Sequence, residues 1–120
     1  MNRVREEIRS MLQVQPRESG FAGTLTLRGD FSILPDHFAG HPVMPGMCML
    51  QAVLLCAGTG LNLKTLKTAK WTRPVVPGET IAIDGTMTPA DGDVVIKAKL
   101  TCSGDRCAEF SLIAVNGASS

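Results

Sequence analysis

The sequence lacks the long apolar segments that mark membrane and secreted proteins. No apolar run reaches the ~18–20 residues that a membrane-spanning helix needs, and the first residues, MNRVREEIRS, are charged and contain no apolar signal-peptide region. An excess of charge of one sign is also absent, because the formal net charge is +1 and the basic residues are scattered. We therefore expect a cytoplasmic protein with neither a membrane nor a nucleic acid as partner.

Cysteines are few and do not follow the spacing of a zinc site. They are Cys48, Cys56, Cys102 and Cys107. In a cytoplasmic protein they are expected to be free thiols, and the first two lie in an apolar segment as small core residues. The sequence therefore predicts no metal site.

Internal repeats and low-complexity segments are absent as well. The chain has 120 residues, of which 44% are hydrophobic and 19% charged. This length and composition predict one globular domain over residues 1–120. We expect an N-terminal helix and loop at residues 1–20 and a frayed tail at residues 116–120.

The longest apolar run extends from Met47 to Ala57, where Gln51 is the only strongly polar residue. Its length predicts a helix, and its apolar character on nearly every face predicts that the helix is buried. Pro45 suits the first helical turn and Gly58 suits the C-terminal cap. The N-terminus of this helix would offer unpaired N–H groups and a partial positive charge to a carbonyl oxygen or an anion.

The remaining pattern predicts one more helix and several strands. The helix is expected at Asn2–Leu12, with a turn or loop at Pro16–Gly20. Alternating or apolar segments predict strands at Ala22–Phe31, Lys64–Trp71, Thr80–Thr88, Val94–Cys102 and Ala108–Val115, with a turn at Pro89–Asp93. A buried helix followed by antiparallel strands predicts an α+β domain.

The last two strands form a hairpin whose register can be predicted from their apolar faces. The faces coincide if Cys102 pairs with Ala108 through a turn centred on Gly104, Asp105 and Arg106. Cys107 would then point away from the face that carries Cys102. Two unlinked thiols are therefore expected rather than a disulfide.

Two segments carry a resemblance to a known family. Residues 37–46, HFAGHPVMPG, and residues 70–79, KWTRPVVPGE, resemble the two motifs of the beta-hydroxyacyl-[acyl carrier protein] dehydratases. The resemblance covers roughly Phe21 to Val115. It implies a hot-dog fold, in which an antiparallel sheet wraps around a central buried helix, and a role in fatty-acid or related lipid or polyketide synthesis.

The resemblance also implies the parts of an active site. His37 corresponds to the base that removes the C2 proton of a 3-hydroxyacyl thioester, and the N–H of Gly46 corresponds to the donor that binds the thioester carbonyl. The expected substrate-binding residues are Phe38, Gly40, Pro45, Met47 and Trp71. No metal or organic cofactor is implied, and His41 aligns with a variable position.

Gln51 departs from the family pattern, which places an acidic residue at this helix position. An amide can bind a hydroxyl group but cannot donate a proton as an acid at physiological pH. Three functions therefore stay open. The first is a dehydratase in which His37 performs both proton transfers, and the second is a catalytically weak or inactive acyl-binding subunit that needs a partner. The third is a hot-dog thioesterase, which ranks last because the helix contains no carboxylate.

Two further groups of residues have alternative interpretations. Met44, Met47 and Met49 would either line an acyl tunnel or form ordinary core. Lys70 and Arg73 would either meet the phosphate of a phosphopantetheine arm or be solvated surface charges.

The resemblance also implies partners. The expected ligand is an acyl thioester on acyl carrier protein or coenzyme A. Family members dimerise through sheet edges, so we expect a homodimer or a larger assembly of dimers, with a heteromeric partner as the alternative. Each site would take His37 from one chain and residue 51 from the other.

Overall fold

The computed structural model describes residues 2–30, 44, 46–58 and 60–116. Two helices and six strands lie in this part of the chain, in the order α1 (Asn2–Met11), β1 (Leu12–Arg17), β2 (Gly20–Thr26), α2 (Gly46–Ala57), β3 (Leu61–Trp71), β4 (Thr80–Ala90), β5 (Asp93–Cys102) and β6 (Asp105–Asn116). The strands form one antiparallel sheet in the order β1-β2-β4-β5-β6-β3. The predicted α+β class is confirmed.

Helix α2 is the buried helix that the apolar run predicts, and it begins one residue earlier, at Gly46. Eight of its twelve residues are buried, and Leu50 and Val53 have no exposed surface. The helix packs on the inner face of the sheet, whose strands wrap around it. In the part of the chain that the structure describes, neither helix is long and apolar enough to cross a membrane.

The strands show the alternation that their sequences predict. In β4, Ile81 and Ile83 are buried while Ala82 and Asp84 are exposed. The inner face is built from such alternate residues of neighbouring strands, since side chains two apart on a strand lie on the same side of the sheet. They include Leu25, Ile81, Ile83, Ile96, Ala98, Leu100, Phe110 and Leu112.

Strand β1 was not predicted. Residues 1–20 were expected to hold a helix and a loop, but the helix ends at Met11 and an edge strand follows directly. This strand contains Pro16, and an edge strand tolerates proline because one side of its backbone makes no ladder hydrogen bonds. The following strand, β2, ends at Thr26 rather than Phe31. Phe31 and the tail at 117–120 lie outside the described residues.

The predicted register of the last hairpin is wrong. Cys102 pairs with Asp105 across a two-residue turn, and Ala108 pairs with Leu100. Ser103 and Gly104 both have positive φ, 53° and 85°, as a type I′ turn requires. A bulge places Cys107 as an extra residue, which turns its side chain inward, so that it is as fully buried as Cys102. Both are free thiols.

Edge strand β3 is only partly covered by α2. Its residues Leu63, Leu66 and Trp71 pair with inward-facing residues of β6, so they lie on the helix side of the sheet, yet each is more than a third exposed. Met47 of α2 is also exposed, at 57%. Apolar side chains therefore remain open to solvent along β3 and at the start of α2.

Candidate active site

A groove opens where the first turn of α2 meets the end of β3. It has a volume of about 540 Å³ and is lined by Met44, Gly46, Met47, Met49, Trp71, Thr72, Arg73 and Pro74. Met44 and Met49 are almost fully buried, at 3% and 2%, whereas Met47 is exposed. Both interpretations of these methionines are therefore compatible, because the same side chains form core and groove wall.

Trp71 forms one wall of the groove and lies directly against Gly46. A Cβ at Gly46 would stand 2.5–2.8 Å from Cε2, Nε1 and Cζ2 of the indole, so no side chain fits there. The indole also meets the ring of Phe110 edge to face, with 5.6 Å between centroids. Glycine is thus required at the first position of α2 by contact with Trp71.

The backbone at the start of α2 carries unpaired donors. The first N–H groups of a helix have no carbonyl partner within the helix. Among the described residues, none accepts a hydrogen bond from the N–H of Gly46. Gly46 lines the groove, so the partial positive charge of the helix N-terminus lies at the groove wall.

Gln51 lies one turn beyond Met47, on the same face of α2. Its side-chain Oε1 is buried and has no hydrogen-bond partner among the described residues. A buried acceptor without a partner is costly and rare in folded proteins. Gln51 does not line the groove of its own chain, so within the described residues the structure does not bring it together with Gly46 and Trp71.

Several predicted site residues lie outside the described residues. They are His37, Phe38, Gly40 and Pro45, together with His41. The groove as described therefore consists of the helix terminus and the end of β3. The roles of these five residues stay predictions from sequence.

Volume alone does not identify the groove. Two hollows of about 480 and 560 Å³ lie on the solvent-facing side of the sheet, lined mainly by polar and charged residues such as Lys97, Lys99 and Asp84. A row of alternating charges crosses this face, because the register pairs Lys70 with Glu109, Glu109 with Lys99, and Lys99 with Asp84. Such cross-strand pairs stabilise a sheet surface and need no ligand to explain them.

The loop from Thr72 to Glu79 holds an ion pair beside the groove. Arg73 donates from Nη2 to Oε2 of Glu79 at 2.6 Å and from Nη1 to Oε1 at 3.3 Å. The N–H of Val76 donates to the same Oε1 at 3.0 Å. The hydrogen bonds from Arg73, which have the larger effect, and from Val76 lower the pKa of Glu79 from 4.5 to about 2. The hydrogen bond to Glu79 raises the pKa of Arg73.

The guanidinium of Arg73 is therefore engaged by Glu79 and its side chain is only 29% exposed, so Arg73 is not a fully solvated surface charge. The phosphate interpretation stays a prediction. Glu79 is the last residue of the second motif, but no role was predicted for it from the sequence. Its partner lies six residues earlier, beyond the spacing of any local pattern. The available indication of this ion pair in the sequence was that two opposite charges flank the turn-forming PVVPG segment.

The lowered pKa of Glu79 predicts a specific pH dependence. A carboxyl whose folded pKa is lowered contributes stability above its unfolded pKa, and this contribution is lost as pH falls toward the folded pKa. The stability difference between the native chain and Glu79→Gln should therefore be largest above about pH 5 and shrink toward about pH 2. Urea unfolding over this range measures it, and a pH-independent difference would contradict the assignment.

The remaining titratable groups do not suggest a metal centre. Among the residues that the structure describes, no three His, Cys, Asp or Glu side chains are placed to hold a metal ion. Burial raises the pKa of Cys48 and of Cys56 to about 11, which keeps both thiols protonated at neutral pH.

Comparison with known proteins identifies relatives of this chain. Residues 8–110 match the sequence model of the family described as ApeI-like, ApeI dehydratase. The 3-hydroxyacyl-[acyl-carrier-protein] dehydratase FabZ of Syntrophomonas wolfei is 27% identical over 113 residues, covering 79% of this chain and 78% of the relative. FabZ of Ehrlichia chaffeensis is 33% identical over 75 residues, covering 55% of this chain and about half, 48%, of the relative.

A solved structure shows the same fold. A chain in the dehydratase heterocomplex ApeI:P from Xenorhabdus doucetiae superposes with a TM-score of 0.73 at 15% identity, covering 87% of this chain and 93% of that chain. The predicted hot-dog fold is thereby confirmed. The matched family spans most of the chain, including α2, β3 and the groove between them, and the chain belongs to the ApeI-like dehydratase family.

Proposed function

We propose that this protein is a dehydratase that acts on 3-hydroxyacyl thioesters carried by acyl carrier protein or coenzyme A, in fatty-acid or related lipid or polyketide synthesis. The observation that carries this proposal is the groove at Gly46. There a helix N-terminus carries an N–H from which none of the described residues accepts a hydrogen bond, and an apolar wall of Trp71 and methionines lies beside it. A thioester carbonyl with an apolar acyl chain fits such a groove chemically.

The reaction requires two proton transfers, one from C2 of the substrate and one to the C3 hydroxyl. His37 takes the proton from C2, and the electron pair of the C–H bond forms the C2–C3 double bond. The C3–O bond breaks, and the hydroxyl leaves as water after it is protonated. The N–H of Gly46 binds the thioester oxygen, on which negative charge develops during proton removal.

Gln51 gives this proposal its specific form. The amide oxygen is an unpaired buried acceptor among the described residues, so it suits a hydrogen bond from the C3 hydroxyl of the substrate. An amide cannot supply the proton that the hydroxyl needs. His37 therefore performs both proton transfers: it takes the proton from C2 and then gives it to the leaving oxygen.

A second copy of the chain is part of the proposal. Leu63, Leu66 and Trp71 on the helix side of edge strand β3 are partly exposed, and so is Met47. Pairing of two β3 edges would cover this surface and bring Gln51 of one chain toward the groove of the other. The proposed assembly is a homodimer, or several dimers, and a different hot-dog subunit is the alternative partner.

Gln51 also favours a second candidate function. Without an acid on α2, the chain could bind acyl thioesters and leave turnover to a partner subunit that supplies a carboxylate. This alternative predicts binding without turnover in the isolated protein. It also predicts that a carboxylate at position 51 creates activity.

The deciding experiment measures hydration of enoyl thioesters by the purified protein, across short and long acyl chains, beside the Gln51→Glu variant. Turnover by the native protein is the expected result. A silent native protein and an active Gln51→Glu would instead establish the acyl-binding subunit. Release of free thiol, measured in the same samples, would identify a thioesterase and overturn both.

A further inference from the structure

The loop between β3 and β4 is bonded to the chain just before α2. The N–H of Met44 donates to the carbonyl of Val75 at 2.8 Å, and Met44 lies two residues before Gly46. This bond ties the backbone two residues before the helix to the loop. Any movement of Val75 would therefore be passed to the groove end of α2.

The same loop is tied to the sheet on two other sides. Thr72 donates from its N–H to the carbonyl of Cys107 at 3.0 Å. Leu27, just after β2, donates to the carbonyl of Glu79 at 3.0 Å and accepts from Gly78 at 2.7 Å. Both ends of the loop are thus fixed, and its middle is held by the buried side chain of Val75, by the bond from the N–H of Glu79 to the carbonyl of Val76 at 3.2 Å, and by the ion pair.

The side chain of Glu79 binds two residues within this loop, and it also meets the Cys102 side chain at the end of β5. Its carboxylate binds the guanidinium of Arg73 through both oxygens and also accepts from the N–H of Val76, next to the carbonyl that holds Met44. The two side chains are only 29% and 21% exposed. A two-oxygen contact with a planar guanidinium fixes orientation as well as distance.

We propose that Glu79 is a positioning residue, which acts through Arg73 and Val76 to hold Val75, and hence Met44, so that the N–H of Gly46 stays at the correct distance from the substrate. This inference rests on the proposed function, in which Gly46 binds the thioester carbonyl. A misplacement of about 1 Å in such a group can lower a rate by about 10²-fold. Glu79 itself touches no substrate.

The test compares two variants that make the same chemical change at two ion pairs. Glu79→Gln removes the charge beside the groove and keeps the side-chain shape. Asp93→Asn does the same to the Lys64–Asp93 pair, which also measures 2.6 Å but joins β3 to β5 outside the groove. Both variants are measured as full-length protein by kcat and KM for enoyl-thioester hydration and by amide hydrogen exchange at Met44.

Glu79→Gln is expected to lower kcat by about 10–100-fold with KM changed less than about threefold, and to speed exchange at Met44. Asp93→Asn should change neither. A purely structural role for Glu79 would lower the melting temperature and leave kcat and the Met44 exchange rate at their native values, and that result would overturn the inference. If Glu79→Gln does not fold, Arg73→Lys is judged by the same criteria. This variant keeps the positive charge but cannot contact both carboxylate oxygens as the planar guanidinium does.

The two proposals fail in different ways. Native turnover with a fully active Glu79→Gln would remove the positioning role and leave the dehydratase intact. A native protein without turnover would remove the dehydratase. Unchanged exchange at Met44 in Glu79→Gln would still overturn the positioning role in that case, because this measurement needs no substrate.

Discussion

Replacement of His37 by alanine is expected to lower kcat for dehydration by about 10²–10⁴-fold, the usual contribution of a general acid or base. The reason is that no second proton-transferring group is proposed for this site, since Gln51 cannot act as an acid. If His37 carries both protons, one substitution removes both steps. The measurement is enoyl-thioester hydration and 3-hydroxyacyl-thioester dehydration by the same variant.

His41 provides the matched control for this prediction. It lies in the same motif, has the same side chain and aligns with a variable position of the related dehydratases. His41→Ala should retain kcat within about threefold. Equal losses in the two variants would mean that the motif is needed for folding or loop structure, and the assignment of His37 as the base would be abandoned.

Gly46→Ala is expected to lower kcat/KM by about 10–100-fold. The variant keeps the backbone N–H, and the loss comes from displacement of the groove residues. A methyl group at this position would stand 2.5–2.8 Å from three atoms of the Trp71 indole, so either the indole or the first turn of α2 has to move. Both movements change the groove. Because Trp71 is the only tryptophan of the chain, its fluorescence spectrum reports the displacement directly.

Gly58→Ala is the control at the other end of the same helix. Among the described residues, a Cβ there would meet Leu61 alone, at 3.5 and 3.8 Å, which are ordinary contact distances. Its activity and tryptophan emission should match those of the native protein. Native emission in Gly46→Ala with full activity would show that the contact between Gly46 and Trp71 does not shape the groove.

The parts of the fold that follow from local periodicity were predictable. The run from Met47 to Ala57 has only Gln51 as a polar interruption, and burial of α2 is a direct consequence of that composition. Alternation of Ile81 and Ile83 with the smaller or polar residues Thr80, Ala82 and Asp84 likewise predicted the inner face of β4. These features depend on neighbours in sequence, which the sequence displays.

The missed features depend on neighbours in space. Strand β1 contains Gln13, Gln15 and Pro16, and it forms because β2 offers a free edge, which no local pattern indicates. The bulge at Cys107 shifted the last hairpin from its predicted register, and nothing near Cys107 in the sequence marks it. Most of a strand's stability comes from packing with its partners rather than from intrinsic preference.

The candidate site divides along the same line. The resemblance of residues 37–46 and 70–79 located Gly46, Met47 and Trp71, and these three line one groove. The hydrogen bond between Met44 and Val75 was not predicted, because it joins two segments that are distant in sequence. The Arg73–Glu79 pair was not predicted either, because it depends on how the loop folds. Sequence motifs therefore indicated which residues meet but not what holds them there.

The strand order has a consequence for how the chain folds. Strands β4, β5 and β6 are joined by two-residue turns and can pair as they form. Strand β3 precedes them in sequence, yet among the six described strands it pairs with β6 alone. Closing so long a loop is entropically costly and slow. The strand that ends in Trp71 is therefore expected to join the sheet late, and the groove, which needs Trp71 against Gly46, to be among the last parts of the molecule to assemble.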